Sequence, residues 1–320
     1  MGRTAIEVDV STVVPFPGRH LVRGWVVTPD DPPEPGSTVT VVCCLAGGTC
    51  STEYFDLHVE GHPGYSMAEH FASAGVVTIA LDHLGVGTSD RVDDIFLVTP
   101  QVASAANDYA FRVALERLPG PWGAARLVVV GVGHSMGGML VTVQQARHVT
   151  FDAVVVLGHG GDGLPAVLTD AERTITGTLE DATPTIIEAA RTRFAQPPPV
   201  ERRGLVPGSF LADDVPASVR RAFVAQQTSL LYTCGLTSMI PNITDNEKAR
   251  IEVPVIVCFG DHDLTDAYES AAARYRASRS TSLSVLPDSA HCHHQASKRT
   301  LLWDRILEWM PAALEPSPGH

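Results

Sequence analysis

The sequence predicts an α/β fold in which helices flank a mostly parallel sheet. Short runs rich in β-branched residues alternate with longer segments of helical periodicity, an alternation typical of chains that build a parallel sheet. Several of the short runs consist almost entirely of Val, Ile and Leu, as expected of strands buried on both faces. In chain order, strands are predicted at residues 21–27, 39–45, 76–81, 127–131, 153–157, 255–259 and 283–286. Helices are predicted at residues 67–74, 101–118, 136–147 and 298–310.

The alternation stops between residues 164 and 250. This segment contains a proline run at residues 196–200, several helix-like patches and no clear strand. Its charge is nearly balanced, with nine Lys/Arg against ten Asp/Glu, whereas the remaining residues carry 14 against 26. We therefore expect residues 1–163 and 251–320 to form the core, and residues 164–250 to form a helical lid inserted between two core strands. Core helices joined by long surface loops are the alternative.

Composition narrows the class of protein. The 320 residues are 44% hydrophobic, enough for a large core, and their formal charge is −13. Such an acidic chain without a run of basic residues is not expected to bind nucleic acid. No stretch is long and apolar enough for a membrane span, and the first residues lack the apolar segment of a secretory signal. The six cysteines form no Cys-x-x-Cys pair, which favours reduced thiols and a cytoplasmic protein.

A candidate nucleophile, Ser135, lies between a predicted strand and a predicted helix. The residues Gly133-His134-Ser135-Met136-Gly137 match the pattern Gly-x-Ser-x-Gly at this junction. A tight strand-to-helix turn strains the serine backbone and exposes its hydroxyl, and glycines on either side avoid collisions with neighbouring backbone. The helix that follows directs the positive end of its dipole toward the turn. The bare pattern also occurs by chance in ordinary glycine-rich turns.

With its flanking strand and helix, this motif resembles the nucleophile elbow of the α/β-hydrolase fold family. The resemblance, to carboxylesterase-like serine hydrolases with a helical lid, extends over nearly the whole chain. That family carries Ser, an acid and His in this chain order. Gly260-x-x-Asp263 follows a buried strand, as the acid loop of the family does, and His291 lies in a short loop after the last predicted strand. The resemblance implies Ser135 as nucleophile, His291 as general base and Asp263 as the carboxylate that orients the base.

Other residues could take two of these roles. Asp261 and Asp162 are alternative acids, and His293 and His294 are alternative bases. The length of the loop after the last strand favours His291. The same His-rich stretch could bind a metal, but no second Cys/His pair lies at the spacing of zinc sites. We therefore expect a site without a metal and without a cofactor.

The resemblance also implies an oxyanion hole. In the family, one backbone N–H comes from the loop after the strand at residues 39–45, and the other comes from the residue after the nucleophile, here Met136. The loop begins Ala46-Gly47-Gly48, where the common form begins His-Gly. This difference leaves open whether Gly47 or Gly48 donates, and we favour Gly48. Losing one such donor typically costs about 3–4 kcal/mol of transition-state stabilisation.

A serine nucleophile argues against haloalkane dehalogenases and epoxide hydrolases, which carry a carboxylate in the elbow of this fold. Within the expected lid, residues 219–232 form one amphipathic segment with an apolar stripe, so we expect a small-molecule ester with an apolar part. Arg220 or Arg221 could receive a substrate carboxylate, although arginines on an exposed helix face are common. His134 is a further substrate-binding candidate, but its side chain should leave the turn opposite to that of Ser135 and pack behind it.

The function expected from these features is hydrolysis of a small-to-medium carboxylic ester through an acyl-enzyme. The same three residues could also serve a thioesterase, a lactonase, an acyltransferase, a C–C bond hydrolase or a lyase. A non-catalytic ligand-binding member of the fold is a further alternative, which the complete Ser, Asp and His set disfavours. Resemblance in fold predicts a reaction class rather than a substrate, and it leaves the oligomeric state open.

Overall fold

The computed structural model describes residues 1–195 and 210–315. Its strands are Gly2–Asp9 (β1), Leu21–Thr28 (β2), Thr38–Leu45 (β3), Val77–Leu81 (β4), Arg126–His134 (β5), Ala153–Leu157 (β6), Val255–His262 (β7) and Thr281–Ala290 (β8). They form one sheet with the order β1-β2-β4-β3-β5-β6-β7-β8. β2 is antiparallel to both of its neighbours, and all other pairs are parallel. The carboxyl ends of β3, β5, β6, β7 and β8 therefore lie along one edge of the sheet.

The helices are Met67–Ser73 (α1), Pro100–Glu116 (α2), Pro121–Ala124 (α3), Met136–His148 (α4), Asp170–Arg173 (α5), Leu179–Arg193 (α6), Ala217–Ala225 (α7), Tyr232–Met239 (α8), Asp245–Lys248 (α9), Tyr268–Ala273 (α10) and Arg299–Leu314 (α11). α2 shows how local sequence sets a boundary. Thr99 caps it by accepting the Val102 N–H, and Pro100 occupies its first position. Across the described ranges, every helix is too short or too polar to cross a membrane.

The sheet is buried on both faces because its strands alternate their side chains between two apolar layers. Along β3, Val41, Cys43 and Leu45 pack into one layer, whereas Val42 and Cys44 pack into the other. The first layer includes residues of α2 and α4, and the second includes residues of α1 and α11. Burial on both faces explains why these strands appear in the sequence as continuous apolar runs.

The predicted architecture is confirmed, and its seven strands and four helices are each present within a few residues. β1 was not predicted. Val8 is its one fully buried residue, and an exposed edge strand offers little apolar pattern to recognise. Three strands extend well past their predicted carboxyl ends, since β5 continues to His134, β7 to His262 and β8 to Ala290. The short loop expected before His291 is therefore strand.

A helical segment separates β6 from β7 within residues 164–250, as predicted. Its described residues form helices and turns and no strand. They share an apolar cluster of their own, which includes Leu168, Ile186 and Leu236. The proline run at residues 196–200 lies outside the described residues. The boundaries of this segment as a separate domain, and its assignment as a lid, stay predictions.

Residues 219–232, expected to carry an apolar stripe, do not form one continuous helix, although Val219, Phe223 and Leu231 are buried. α7 ends at Ala225 and α8 begins at Tyr232. The residues between them bind the loop that follows β3, and the Thr228 N–H donates to the Thr49 carbonyl at 2.8 Å. Tertiary contacts have overridden the apolar periodicity here.

Candidate active site

Ser135 lies at the sharp turn between β5 and α4. Its φ and ψ are 54° and −118°, a conformation that is rare for a residue with a side chain. A Cβ at Gly133 would lie 2.2 Å from the Gly137 carbonyl oxygen, and a Cβ at Gly137 would lie 2.1 Å from the Leu45 carbonyl oxygen. The Ser135 N–H donates to the Leu157 carbonyl at 2.7 Å, which ties the turn to β6. The glycines permit this turn, and it leaves Ser135 partly exposed.

Asp263 and His291 form a short hydrogen bond at the carboxyl ends of β7 and β8. The His291 Nδ1 donates to the Asp263 Oδ1 at 2.6 Å, and both side chains are almost completely buried. A register shift between Gly260 and His262 ends the regular pairing just before Asp263. The carboxylate also accepts the backbone N–H groups of Leu264 at 2.7 Å and Gly260 at 3.2 Å. With its proton on Nδ1, the His291 ring has Nε2 as its proton acceptor.

A second histidine binds the same carboxylate. The His293 Nε2 donates to the Asp263 Oδ2 at 2.8 Å, and neither side chain is exposed. Burial alone would raise the pKa of Asp263, but His291 and His293 hold that pKa well below its usual value. Asp263 is therefore ionised at neutral pH although it is buried. His293, considered from sequence as an alternative base, lies against the acid instead.

Ser135 and His291 line one small cavity. Its volume is about 40 Å³, room for a few water molecules. Gly158 lies against the base, since a Cβ there would lie 2.9 Å from the His291 Cε1. The Ser135 hydroxyl and the His291 ring make no direct hydrogen bond, and such contacts are often loose until substrate binds. The other lining residues are Gly158, His159, Gly160, Gly161, Asp162, Gly163, Leu164, Ser238, Leu264 and Thr265.

His134 lies behind the turn, as expected from its direction, and is not among the described residues that line the cavity. Its Nε2 donates to the backbone carbonyl of His291 at 2.8 Å, and its ring stacks on Tyr54 at a centroid distance of 4.5 Å. Burial, together with His291 and His293, holds the pKa of His134 well below its usual value, so the ring is neutral. His134 therefore supports the backbone at His291, and this placement does not support a role in substrate binding.

Gly47 and Gly48 follow β3 and approach the turn from the other side. A Cβ at Gly47 would lie 3.1 Å from the Ser135 Cβ, and a Cβ at Gly48 would lie 2.9 Å from the Leu230 side chain. Neither glycine N–H has an acceptor among the described residues. Met136 is the first residue of α4, where backbone N–H groups have no partner within the helix. These three candidate donors lie around Ser135, and the choice between Gly47 and Gly48 stays a prediction.

The two alternative acids have other partners. Asp261 accepts two backbone N–H groups of β8, at 2.9 and 3.0 Å. Asp162 lines the cavity, but its carboxylate pairs with Arg274 at 2.6 Å. Asp263, rather than either of these, is the carboxylate bonded to His291.

The His-rich stretch at residues 291–294 does not converge on one point. Two of its rings bind Asp263, and the third, His294, accepts the Trp303 Nε1–H at 2.7 Å. Within the two described ranges, no group of three or more His, Cys, Asp or Glu side chains is arranged to hold a metal ion.

The structure does not bring Arg220 or Arg221 to the cavity. The Arg220 Nε donates to the Val215 carbonyl at 3.0 Å, and its Nη2 donates to the Ala212 carbonyl. Arg221 is exposed to solvent. Arg220 thus closes the turn before α7, and the predicted contact of either arginine with a substrate carboxylate finds no support in this arrangement.

Two residues near the cavity were not identified from the sequence. His159 lines the cavity from the turn after β6. Lys248 is completely buried behind the same turn, where a Cβ at Gly161 would lie 2.2 Å from its Nζ. Burial lowers the pKa of Lys248 to about 8. Neither residue belongs to a recognisable sequence motif. The feature that could have pointed to this turn is its group of four glycines within residues 158–163.

Comparison with known proteins agrees with this architecture. Residues 41–301 match the model of the alpha/beta hydrolase family. The chain is 26% identical over 270 residues to a monoacylglycerol lipase from Mycolicibacterium smegmatis, covering 78% of this chain and 83% of the lipase.

Solved structures show the same fold. A thermostable carboxyl esterase from Bacillus coagulans has a TM-score of 0.67 at 15% identity, covering 98% of this chain and 99% of the esterase. A bromoperoxidase from Bacillus anthracis has a TM-score of 0.63 at 17% identity, covering 96% of this chain and 100% of the bromoperoxidase. The two proteins are named for different activities, so their similarity to this chain supports the fold alone. On the family match, which spans most of its length, the chain belongs to the alpha/beta hydrolase family.

Proposed function

We propose that this protein is a serine hydrolase that cleaves a small-to-medium carboxylic ester through an acyl-enzyme. One observation carries the proposal: the serine at the strained turn shares a cavity with a histidine whose Nδ1 is bound to a buried carboxylate. Family membership supports hydrolysis as the reaction class. The relative named as a monoacylglycerol lipase supports an ester as the substrate class.

In the proposed mechanism, the His291 Nε2 takes the hydroxyl proton of Ser135 while the Ser135 Oγ attacks the ester carbonyl carbon. Asp263 stabilises the imidazolium and holds its orientation. The oxyanion accepts hydrogen bonds from the backbone N–H groups of Met136 and Gly48. The tetrahedral intermediate then expels the alcohol, which takes the proton from His291. Water, deprotonated by the same ring, hydrolyses the acyl-enzyme and releases the acid.

We further infer that the segment 164–250 acts as a lid over this site. Leu230 lies against Gly48 on one side, and the Phe210 ring meets the His291 ring edge-on at 5.5 Å on the other. A second cavity, of about 220 Å³, borders Leu230. Its other lining residues are Arg91, Val92, Asp93, Ile95, Ser229 and Tyr232.

Hydrolysis of p-nitrophenyl acetate and butyrate near pH 8 tests the proposal. We expect Ser135→Ala to lower kcat by at least ~10³-fold, because it removes the attacking oxygen. Ser73→Ala, which removes the same atom from an exposed position on α1, should retain wild-type activity. Circular dichroism checks that each variant is folded, and a fluorophosphonate should label the wild type at Ser135. Equal activity of the wild type and Ser135→Ala would refute the assignment.

Product analysis distinguishes hydrolysis from the other reactions that the same three residues could perform. With an alcohol present as a competing acceptor, a hydrolase forms mainly the free acid, whereas an acyltransferase forms mainly the new ester. Thioester and lactone substrates, measured under the same conditions, establish whether the oxygen ester is preferred.

A further inference from the structure

A buried histidine in the cavity beside Ser135 has no role in the proposed mechanism. His159 is only 7% exposed, and it lines the cavity together with Ser135 and His291. Its Nε2 is buried and has no hydrogen-bond partner among the described residues. Buried polar atoms nearly always have a partner. Nε2 itself has almost no accessible surface, and the described residues form no hydrogen bond to Nδ1 either, so Nδ1 is the ring nitrogen left for a molecule bound in this cavity.

The turn that carries His159 is fixed from behind. The Gly158 N–H donates to the Cys258 carbonyl at 2.8 Å, and the Gly161 carbonyl accepts the Asn242 N–H at 2.7 Å. The first of these bonds joins the turn to β7, and the second joins it to the segment before α9. The backbone on either side of His159 is thus held in position before a ligand arrives, which lowers the entropic cost of binding.

The His159 ring is a neutral hydrogen-bonding group. Burial, together with the positive charges of Lys248 and Arg274, holds the pKa of His159 well below its usual value. Both cations already have carboxylate partners, since Arg274 pairs with Asp162 and Asp245, and Lys248 lies 3.7 Å from Asp245. A neutral imidazole donates through one nitrogen and accepts through the other. That combination suits a hydroxyl group better than a carboxylate or an ammonium group.

Two further side chains in the cavity fit the same ligand group. The Ser238 Oγ donates to the Gly235 carbonyl at 2.8 Å and keeps its lone pairs for another donor. The Thr265 Oγ1 accepts the Ala267 N–H at 3.2 Å and keeps its own proton for another acceptor. The volume of about 40 Å³ admits a group the size of a hydroxymethyl.

We propose that His159 is a substrate-binding residue for an uncharged hydroxyl group carried by the ester close to its scissile carbonyl. The proposal rests on the function proposed above and narrows its substrate class from small esters to hydroxy-substituted esters. The hydroxyl belongs either to the acyl group or to the alcohol, because both lie within reach of a cavity that borders Ser135. In either case it exchanges hydrogen bonds with His159 and with Ser238 or Thr265.

Two pairs of esters of matched size test the proposal and identify the source of the hydroxyl. Methyl 3-hydroxypropanoate against methyl butyrate tests the acyl side, and 2-hydroxyethyl acetate against propyl acetate tests the alcohol side. Acid release is followed by pH-stat titration. We expect the wild type to prefer the hydroxy ester of one pair by at least about tenfold in kcat/KM. His159→Phe keeps an aromatic ring without nitrogens, and it should bring that ratio to about one.

His159→Asn serves as the second variant, because its side-chain amide can still donate and accept. It should retain part of the preference that His159→Phe loses, with folding checked by circular dichroism. The proposal is overturned if the wild type shows no preference in either pair, or if His159→Phe keeps the preference. In both cases, continued hydrolysis of the apolar esters leaves the proposed function intact. A wild type that hydrolyses none of the four esters contradicts the proposed function itself, and the inference with it.

Discussion

The two sides of the cavity differ in how their polar groups find partners. The histidine side consists of His291, which lines the cavity, and of His134, Asp263 and His293 behind it. Each of these side chains has at least one hydrogen-bond partner within the protein, although the Nδ1 atoms of His134 and His293 have none among the described residues. The glycine side consists of the turns at residues 46–48 and 158–163. Two backbone N–H groups and one imidazole nitrogen on this side have no partner among the described residues.

This difference indicates which polar groups find their hydrogen-bond partners within the protein and which receive them from a substrate. The histidine side has to hold one arrangement of protons before the substrate arrives, because the base must already carry its proton on the correct nitrogen. The glycine side provides donors for charge and hydroxyl groups that are present only when a substrate is bound. We therefore expect changes on the histidine side to lower kcat for every ester, and changes on the glycine side to alter the choice among esters.

The largest expected effect is the loss of kcat when the carboxylate of the histidine side, Asp263, is replaced. Asp263→Asn removes the charge that orients His291 and should lower kcat by about 10⁴-fold. Asp261→Asn makes the same chemical change two residues away, where the carboxylate holds backbone N–H groups of β8, and should lower kcat by less than about tenfold. Initial rates on p-nitrophenyl acetate measure both variants. Equal losses in the two would show that Asp263 is not the acid.

A smaller effect is expected where the two sides touch. Gly158 belongs to the glycine side, but a Cβ on it would lie 2.9 Å from the His291 Cε1. Gly158→Ala should displace the base and lower kcat by about 10²-fold. Gly158 also has a φ of +63°, so Gly120→Ala, at a φ of +53° in open space, is the control for backbone strain alone. Melting curves and kcat for both variants separate stability from activity. The prediction fails if Gly158→Ala loses stability but keeps its kcat.

The third prediction concerns pH and the free energy of unfolding. Burial holds the pKa of His134 and of His159 well below 6.5, and it lowers that of His294 to about 3. Below about pH 6.5, these rings take up protons in the unfolded chain but not in the folded one. Their stabilisation is complete above that pH and is lost as the pH falls toward the folded values, by about 1.4 kcal/mol per ring per pH unit.

Urea denaturation at about pH 7.5, 6.5 and 5.5 measures this loss. The free energy of unfolding should change little between the first two values and fall between the last two. His294→Leu should reduce the slope, because it removes one of the rings that stay neutral in the folded protein. A free energy of unfolding that is equal at pH 6.5 and 5.5 would mean that the rings become charged in the folded protein.

Most of the fold could be predicted because its strands are buried on both faces. Runs such as Val77–Leu81 and Ala153–Leu157 are buried at every position, and all of their residues except Thr78 are apolar. β1 could not be predicted in the same way, because pairing with β2 holds it at the edge of the sheet with most of its side chains exposed. The break between α7 and α8 depends on contacts with a loop about 180 residues earlier, and periodicity carries no record of such contacts.

Part of the site could be predicted for a similar reason. Ser135, Asp263 and His291 each follow a strand of a parallel sheet, so the topology alone brings them to one edge. The position of His293 depends on the short helical turn after β8, which directs its ring back to the carboxylate. The sequence suggested that Arg220 could bind a substrate carboxylate. Nothing in the sequence indicates that its guanidinium donates instead to two backbone carbonyls of the preceding turn.

The bond between Trp303 and His294 has an optical consequence. His294 meets Tyr54 edge-on, and Tyr54 stacks on His134, so a row of rings joins α11 to the back of the turn at the nucleophile. An imidazole that gains a proton quenches the emission of an indole hydrogen-bonded to it. Because burial keeps His294 neutral, the fluorescence of Trp303 should not be quenched by it until water reaches these rings. Its intrinsic fluorescence would then serve as a built-in, label-free reporter of loosening at the rear of the site.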